Sequence, residues 1–454
     1  MLYMPPMLSL TQAQERAASL VERARRAGAD HADAIYLADA SESLSVRLGK
    51  LEDVERSESE HIGLRVFSGR RSASIGSSDL SDDALAELAA RAVDMARAAP
   101  EDPYAGLAPE DRLAHAPWPD LDTLDRAEPG PADLRALAEA AEDAARATPG
   151  VTNSEGAGAS AGHSLMALAT SHGFVGGYQG SSRMLSASVI AGEGGTMQRD
   201  YAWRTTRHGA DLPPPEEIGR LAGQRTVARL NPGRLASGPM PVVFDPRVGA
   251  SLLGHLAGAM SGSSIARRSS FLLGREDEVL FAPEIRIVDD PHRPRGLRSR
   301  PFDGEGLPTA RRDLVRDGKL TGWLMDSASA RQLGLQPTGH AARGASGAPG
   351  VSTSNLHLEP GNVMVAELIA DIRDGVLVTE LIGQGVNGVT GDYSRGASGY
   401  RIVNGAIAGP VAEFTIAGNL VDMYARMTAA DDLEWLHAVN VPTIRIDGMT
   451  VAGE

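Results

Sequence analysis

The sequence predicts an α+β protein with an N-terminal α/β unit, a middle antiparallel α+β unit and a large β-rich C-terminal domain carrying a few packed helices. Three observations carry this. Apolar stripes of helical period alternate with strand-like segments near the N-terminus. A Ser/Ala/Gly-rich stretch over 151–204 shows two-residue alternation, as in Ser186-Ala187-Ser188-Val189-Ile190. Four dipeptides suited to tight hairpins, Asp317-Gly318, Asp374-Gly375, Asn404-Gly405 and Asp447-Gly448, fall in the C-terminal half.

In chain order, Leu10, Ala13, Ala17, Leu20 and Val21 make a helical stripe over 10–27, and Gly28 stops it. Asp33–Ala38 and Ser43–Arg56 read as strands, and Ile62–Phe67 with Arg71–Ile75 as a hairpin about Ser68-Gly69-Arg70. Ser81 caps a helix to Ala99 whose buried face is expected to be Leu85, Leu88, Ala92 and Met95. Pro100–Pro131, rich in proline, aspartate and glycine, reads as a linker. An alanine-rich helix over 131–147, the strands of 151–204 and a helix over 216–230 follow, and Asn231-Pro232-Gly233 marks a boundary. The expected domains are residues 1–115, 116–232 and 233–454.

The C-terminal domain opens on Phe244–Gly262. Asp245-Pro246 is a helix start, because aspartate caps free amides and proline fits the first turn. Val248, Leu252, Leu256 and Met260 form its apolar stripe. Gly254, Gly258 and Gly262 recur at the same spacing on a neighbouring line. An interior glycine costs a helix about 1 kcal/mol relative to alanine. The line therefore predicts a close contact with this helix, within the chain or between subunits, the alternative being drift that has removed side chains once at work there.

Composition bounds the function. Of 454 residues, 42% are hydrophobic and 23% charged, an ordinary soluble composition with room for several cores. No apolar run approaches a membrane span. The N-terminal MLYMPPMLSL lacks a basic lead and does not read as a signal peptide, so a cytoplasmic protein is expected. Cysteine is absent, which excludes disulfides and thiolate ligands. A net charge of -15 and 4% aromatics make nucleic acid an improbable partner.

No self-sufficient catalytic motif appears. A zinc-protease helix needs two histidines about one turn apart with a neighbouring glutamate base. The tightest pair here, His163 and His172, is expected on different strands, and His255 on its helix reads first as a structural histidine. Asp289-Asp290-Pro291-His292 reads as a turn. Asp303 and Glu305, in FDGEG, pair two carboxylates among glycines: a cation or peptide-amine site, or, as the favoured reading, a solvated loop. The run Gly383–Gly399 is either an anion-cradling loop or close-packed strand.

The segments VVFDPRVGASLLGHLAGAMSG, IVDDP, FDGEGLPT, LMDSASARQLG, SNLHLEPG and LVTELIGQGVNGVTGDYSRGASGYRIVNGAIAGPVAEFTIAGNL resemble the TldE/PmbA branch of the TldD/PmbA family, as does the N-terminal GLRVFSGRRSASIGSSDLS. The resemblance spans residues 30–451, loosely in the middle domain. It implies a two-component cytosolic metalloprotease acting on unfolded peptides or small proteins. The TldD-like partner carries zinc on a His-Glu-x-x-x-His helix, with a cysteine ligand, and this branch lacks the motif. Laid on this chain, the motif puts Gly254 at the first histidine, His255 at the glutamate and Ala259 at the second histidine. The resemblance thus implies no catalytic or metal-binding residue and no cofactor in this chain, and zinc in the partner. His255, Gly258, Asp303 and Glu305 are then candidates for a cleft or interface. A self-complementary patch also allows a homodimer when the partner is missing.

Two rival functions are a self-standing metal-dependent hydrolase assembled from dispersed residues such as His255, Asp289 and Glu305, and a homodimeric regulatory binding module of gyrase-modulator type. For peptide capture, addition of an extended substrate to a sheet edge of the hairpin-rich C-terminal half is expected.

Overall fold

Ser9 opens the first helix in the computed structural model, which describes residues 8–454. The Met1–Met7 part of the segment in which no signal peptide is expected lies outside the described residues. The Ser9 side chain accepts from the Gln12 amide while the Gln12 side chain accepts from the Ser9 amide, a reciprocal cap. Helix α1 (Leu10–Arg26) buries the stripe Ala13, Ala17, Leu20 and Val21. Strands β1 (His31–Arg47), β2 (Lys50–Ser68) and β3 (Arg71–Ser77) follow, then helices α2 (Asp82–Ala98) and α3 (Pro131–Arg146), strands β4 (Val151–Thr170), β5 (Val175–Ala191) and β6 (Gln198–Thr206), and helix α4 (Pro215–Ala228).

The six strands form one antiparallel sheet in the order β3-β2-β1-β4-β5-β6. Strands from either side of the expected 115/116 boundary therefore share a sheet, joined by β1 and β4 from Asp33↔Thr170 to Val46↔Ala157. Helices α1 and α2 pack on one part of a sheet face through Leu20, Tyr36, Leu64, Leu85 and Leu165. Helices α3 and α4 pack through Leu134, Ala138, Leu44, Leu185 and Ile218.

Three expectations are corrected here. The strand read over 43–56 turns back at Leu48-Gly49, where both residues have positive φ (52° and 72°), the geometry of a two-residue hairpin. In α2, Met95 is 40% exposed, and Ala89, Val93 and Ala96 take the inner face. The 100–131 stretch is no free linker: Ala108, Leu113 and Ala114 are buried with Ile35, Leu168 and Phe174, and the Ala114 amide donates to the Gly306 carbonyl at 2.8 Å.

The C-terminal half begins with β7 (Gly238–Phe244), α5 (Pro246–Ala259) and α6 (Gly262–Ala266). Next come β8 (Ile287–Asp289), β9 (Arg312–Arg316), β10 (Lys319–Leu320), α7 (Ser327–Leu333), β11 (Ala341–Ala342), β12 (Gly350–Val351), β13 (Leu356–Leu358) and α8 (Val365–Ile369). The chain ends with β14 (Asp374–Ile382), β15 (Asp392–Val403), β16 (Ala406–Asn419), α9 (Leu420–Ala425), β17 (Met427–Ala429), β18 (Val439–Asn440) and β19 (Ile444–Ala452). One sheet runs β16-β15-β14-β7-β19-β17, and β16 also pairs with β19 from Thr415↔Ala452 to Ala417↔Thr450. Five strands thus close into a ring around Val242, Phe244, Val376, Tyr393, Ile416 and Ile446. A second, five-stranded sheet runs β10-β9-β8-β13-β18.

Two of the four dipeptides make the expected hairpins: Asp317-Gly318 joins β9 to β10 and Asn404-Gly405 joins β15 to β16, all four residues at positive φ. The other two do not. Gly375 lies inside β14, and Asp447-Gly448 sits at a bulge in β19, where the register shifts between Ile446 and Met449. Ring closure also removes the long edge expected to capture peptide. Among the described residues, the C-terminal sheets end in the two- or three-residue strands β17, β10 and β18, whereas β3 and β6 edge the first sheet.

Candidate functional site

Helix α5 projects from the end of β7. The Asp245 carboxylate accepts from the Arg247 amide at 2.9 Å, and Pro246 occupies the first turn. Leu252, Leu253, Leu256 and Met260 are buried against the ring. The Tyr424 hydroxyl, itself buried, donates to the Leu252 carbonyl at 2.9 Å and pins the helix from below.

The glycine line splits. A Cβ at Gly262 would collide with Met325 and Ser329. Gly254 and Gly258 are exposed, and a Cβ at either would meet nothing within 4 Å. The expectation of a close contact on this helix within the chain is therefore corrected at both positions.

His255 lies half-buried between them. Its ring stands edge-on to Tyr393 with centroids 6.2 Å apart. Nε2 of His255 and the hydroxyl of Tyr393 are both buried without a hydrogen-bond partner. Burial, helped by Arg395, pushes the His255 pKa down. Burial pushes the Tyr393 phenol up to about 12, against the pull of Arg395. At neutral pH the pair is an uncharged imidazole beside an uncharged phenol. It can donate and accept hydrogen bonds, but it has no carboxylate to polarise it.

Zinc sites in proteases use about three protein ligands. Gly254 and Ala259 carry no donor, and no group of three His, Cys, Asp or Glu side chains suited to a metal occurs among the described residues. The donor set does not fit zinc. The dispersed hydrolase site is likewise not assembled. Asp289 accepts from the Ser354 amide at 2.7 Å and faces His340 Nε2 at 3.3 Å, and Glu305 accepts from the Ser327 amide at 2.8 Å. Asp290 forms the expected turn, accepting from the His292 amide at 2.9 Å.

Asp303 and Glu305 are buried, not solvated. Asp303 accepts from the amides of Glu305, Leu307 and Ala341 at 2.9, 3.0 and 3.1 Å. Burial and the Glu305 charge push its carboxyl up to about 7. Glu305 faces Arg65 of β2 at 3.6 Å. Arg65 Nε donates to Asp33 of β1 at 2.9 Å, and Arg343 pairs with the other Asp33 oxygen. Burial raises the Asp33 carboxyl, but Arg343 and Arg65 outweigh it and hold it below the ordinary range. This network ties the 302–307 loop to the first sheet. Asp33, Arg65 and Arg343 carry no local sequence signal for it.

The glycine-rich run divides in two. Amides of Val386, Asn387, Val389, Thr390 and Gly391 all donate within the loop, to Gln384, Asp392 and Asn387 acceptors, which leaves them unavailable to an anion. Gly385 and Gly399 are close-packed, since a Cβ would strike the carbonyls of Ser394 and Leu377. Tyr393 and Arg395, the neighbours of His255, belong to this run and were legible only as part of it.

Three family profiles match in series: PmbA/TldA metallopeptidase domain 1 over residues 32–96, the central domain over 125–230 and the C-terminal domain over 237–453. The chain is 39% identical to the metalloprotease PmbA of Escherichia coli O157:H7 over 414 residues, covering 91% of this chain and 90% of that one. A Haemophilus influenzae PmbA homologue is 36% identical, covering 95% and 94%. A Bacteroides thetaiotaomicron structure, provisionally named a modulator of DNA gyrase, superposes with a TM-score of 0.90 at 25% identity, covering 99% of this chain and all (100%) of that one. TldE of Thermococcus kodakarensis shares the fold, with a TM-score of 0.86 at 21% identity over 96% of this chain and 100% of that one. With all three domains matched in order and relatives aligned along nearly their whole length, the chain belongs to the PmbA/TldD metallopeptidase family, on its PmbA/TldE branch.

Proposed function

We propose that this chain is the subunit without zinc of a two-component metallopeptidase, paired with a TldD-like chain that holds the metal and admits unfolded peptides. The observation that carries the reading is α5. Its inner face is fully packed, yet the positions aligned with the zinc motif are Gly254, His255 and Ala259, which supply one imidazole and no base. Amide hydrolysis needs an activated water and a stabilised oxyanion, so the chemistry belongs to the partner. The exposed Gly254–Gly258 face, with a buried imidazole and phenol left unpartnered beside it, suits close approach by a second chain. Related subunits can share a pseudo-twofold contact, and a self-complementary face also permits a homodimer of this chain alone. The protein works as a soluble, cytoplasmic subunit in this reading. No described helix is long and apolar enough to cross a membrane.

The test mixes a disordered peptide with this chain, with a zinc-bearing relative, and with both. Cleavage is expected only when the relative is present, and to be strongest with both, while untagged preparations of this chain carry no stoichiometric zinc. Chelator-sensitive cleavage by this chain alone overturns the proposal, as does full activity of the relative without it.

A further inference from the structure

Away from α5, a cavity of about 470 Å³ opens beside the end of β6, between the first sheet and the 293–297 and 435–437 segments. That volume lies within the ordinary range for small-ligand sites. In a chain of net charge -15, its walls are basic and aromatic. Arg204 and Arg207 come from β6 and the residues after it. Arg293 sits over Trp435, its guanidinium carbon 3.4 Å from the ring centroid. His437, whose far side packs at a tilt on Trp203 outside the cavity with centroids 4.3 Å apart, completes the wall.

Among the described residues none of Arg204, Arg207 or Arg293 has a carboxylate within ion-pair distance. Arg207 spends its donors on the carbonyls of Ser181, Gly296 and Leu297. Arg204 Nη1 and His437 Nδ1 are buried without any partner. The acids nearby do not cancel this charge. Asp211 is bound by Arg295 at 2.9 Å, and Glu434 and Asp290 influence Arg204 and Arg293 only from beyond contact. Burial lowers the pKa of Arg204, Arg207 and Arg293 alike, as it does for cations held partly out of water.

We infer that this cavity binds a carboxylate carried on an unfolded peptide chain, with the guanidinium groups of Arg204 and Arg293 holding the oxyanion and Trp435 flanking the adjoining side chain. The geometry suits a peptide ligand because β6 edges its sheet: it pairs only with β5 among the described residues. An extended chain laid along this edge would deliver a side-chain or terminal carboxylate to the cavity at the strand's end. The peptide nature of the ligand rests on the proposed function. The demand for an anion rests on the cavity alone, and its being a carboxylate follows from the ligand being a peptide.

The test is fluorescence anisotropy of labelled disordered peptides on the full chain. One peptide carries internal glutamates and an amidated terminus. A second has no acidic side chain but a free terminal carboxylate, and a third has neither. At least one of the first two is expected to bind about tenfold more tightly than the third, as loss of one charge-assisted hydrogen bond implies. Which of the two does so identifies the source of the carboxylate. Arg293→Gln is expected to remove the difference and Arg293→Lys to retain part of it. Arg204→Gln serves as a second variant where its melting temperature is unchanged. Equal binding of all three peptides, no binding of any, or a native acidic preference in Arg293→Gln overturns the inference. Carboxylate-dependent binding without cleavage by the mixed subunits would overturn the subunit reading and leave this site standing. Cleavage with no carboxylate preference would do the reverse.

Discussion

Alanine at Gly254 and Gly258 should affect the isolated chain and its assembly in opposite directions. Both positions lie inside α5, both are exposed, and neither has an atom within 4 Å of where a Cβ would stand. Glycine in a helix interior costs about 1 kcal/mol relative to alanine. Nothing in the chain obstructs the new methyl group, so Gly254→Ala is expected to stabilise the isolated protein by about 1 kcal/mol and Gly258→Ala, one residue from the end of α5, by less. Gly258→Leu should also fold normally, because its side chain would point into solvent. If a second chain packs on this face, the same substitutions should weaken that contact, mildly for alanine and severely for leucine, since overpacking costs about 1–3 kcal/mol. Denaturant midpoints of the isolated chain give the first half. Light scattering after co-expression with a zinc-bearing relative gives the second. Destabilisation of the isolated chain by Gly258→Ala would refute the open geometry. Stabilisation together with unimpaired assembly of Gly258→Leu would refute the role given to this face.

Other expectations follow from the buried groups. Asp33→Asn removes the negative charge between Arg65 and Arg343 and turns one of its two acceptor oxygens into a donor, and should cost about 3–5 kcal/mol in denaturant titration, as breaking a buried ion pair does; a loss below about 1 kcal/mol, the scale of a surface pair, would contradict the buried network. Asp303 has a raised folded pKa, so its contribution is fullest below the unfolded value of about 3.9 and declines as pH rises toward about 7. Asp33, with a lowered folded pKa, works the other way and loses its contribution only in acid. Stability measured between about pH 4 and about pH 7 should therefore fall less steeply with rising pH in Asp303→Asn than in the native chain, and an unchanged slope would exclude Asp303 as the titrating group. Tyr424→Phe should cost about 1 kcal/mol by deleting the bond to the Leu252 carbonyl, whereas Tyr393→Phe should be neutral or stabilising because its hydroxyl has no partner; equal losses in thermal unfolding would mean that Tyr393 is hydrogen-bonded.

Local signals carried the local structure. Ser81 and Asp245 each cap the helix expected to follow them, and Asn404-Gly405 and Asp317-Gly318 turn where their chemistry indicates. Misreadings arose where one local preference serves two ends. Gly448 adopts the positive φ that suits a hairpin, but pairing of β19 with β7 makes it part of a bulge. Leu48 takes positive φ with no favourable side chain, forced by the long β1–β2 pairing on either side. Closure of the ring depends on β16 meeting β19, burial of Glu305 depends on Arg65 of β2, and burial of Asp303 depends in part on the amide of Ala341. No window of sequence contains those partners, so two carboxylates among glycines look solvated until Arg65 is placed beside Glu305 and the Ala341 amide beside Asp303. The α5 positions were legible for what they lack. That Gly254 and Gly258 face outward was not, because period alone does not say which glycine of a line meets a neighbour.

The case for a docking role at α5 comes from deficits concentrated in one patch. Two exposed glycines weaken a helix that ordinary surface residues would strengthen by up to about 1 kcal/mol each. Beside them, a buried imidazole nitrogen and a buried phenol hydroxyl each lack a partner, at a cost of about 1–3 kcal/mol apiece. Drift after loss of a metal site would scatter substitutions over an exposed helix face, with no reason to favour the least helical residue at two positions one turn apart. A second backbone seated along Gly254 and Gly258 would turn the same features to advantage. The missing side chains let it approach closely. Local choices that conflict with the fold of the isolated chain concentrate where function constrains them. The inner face of the same helix, packed by Leu252, Leu253, Leu256 and Met260 and held by Tyr424, shows no such conflict. The contrast between the two faces of one helix assigns the deficit to what the outer face meets, not to a failing scaffold.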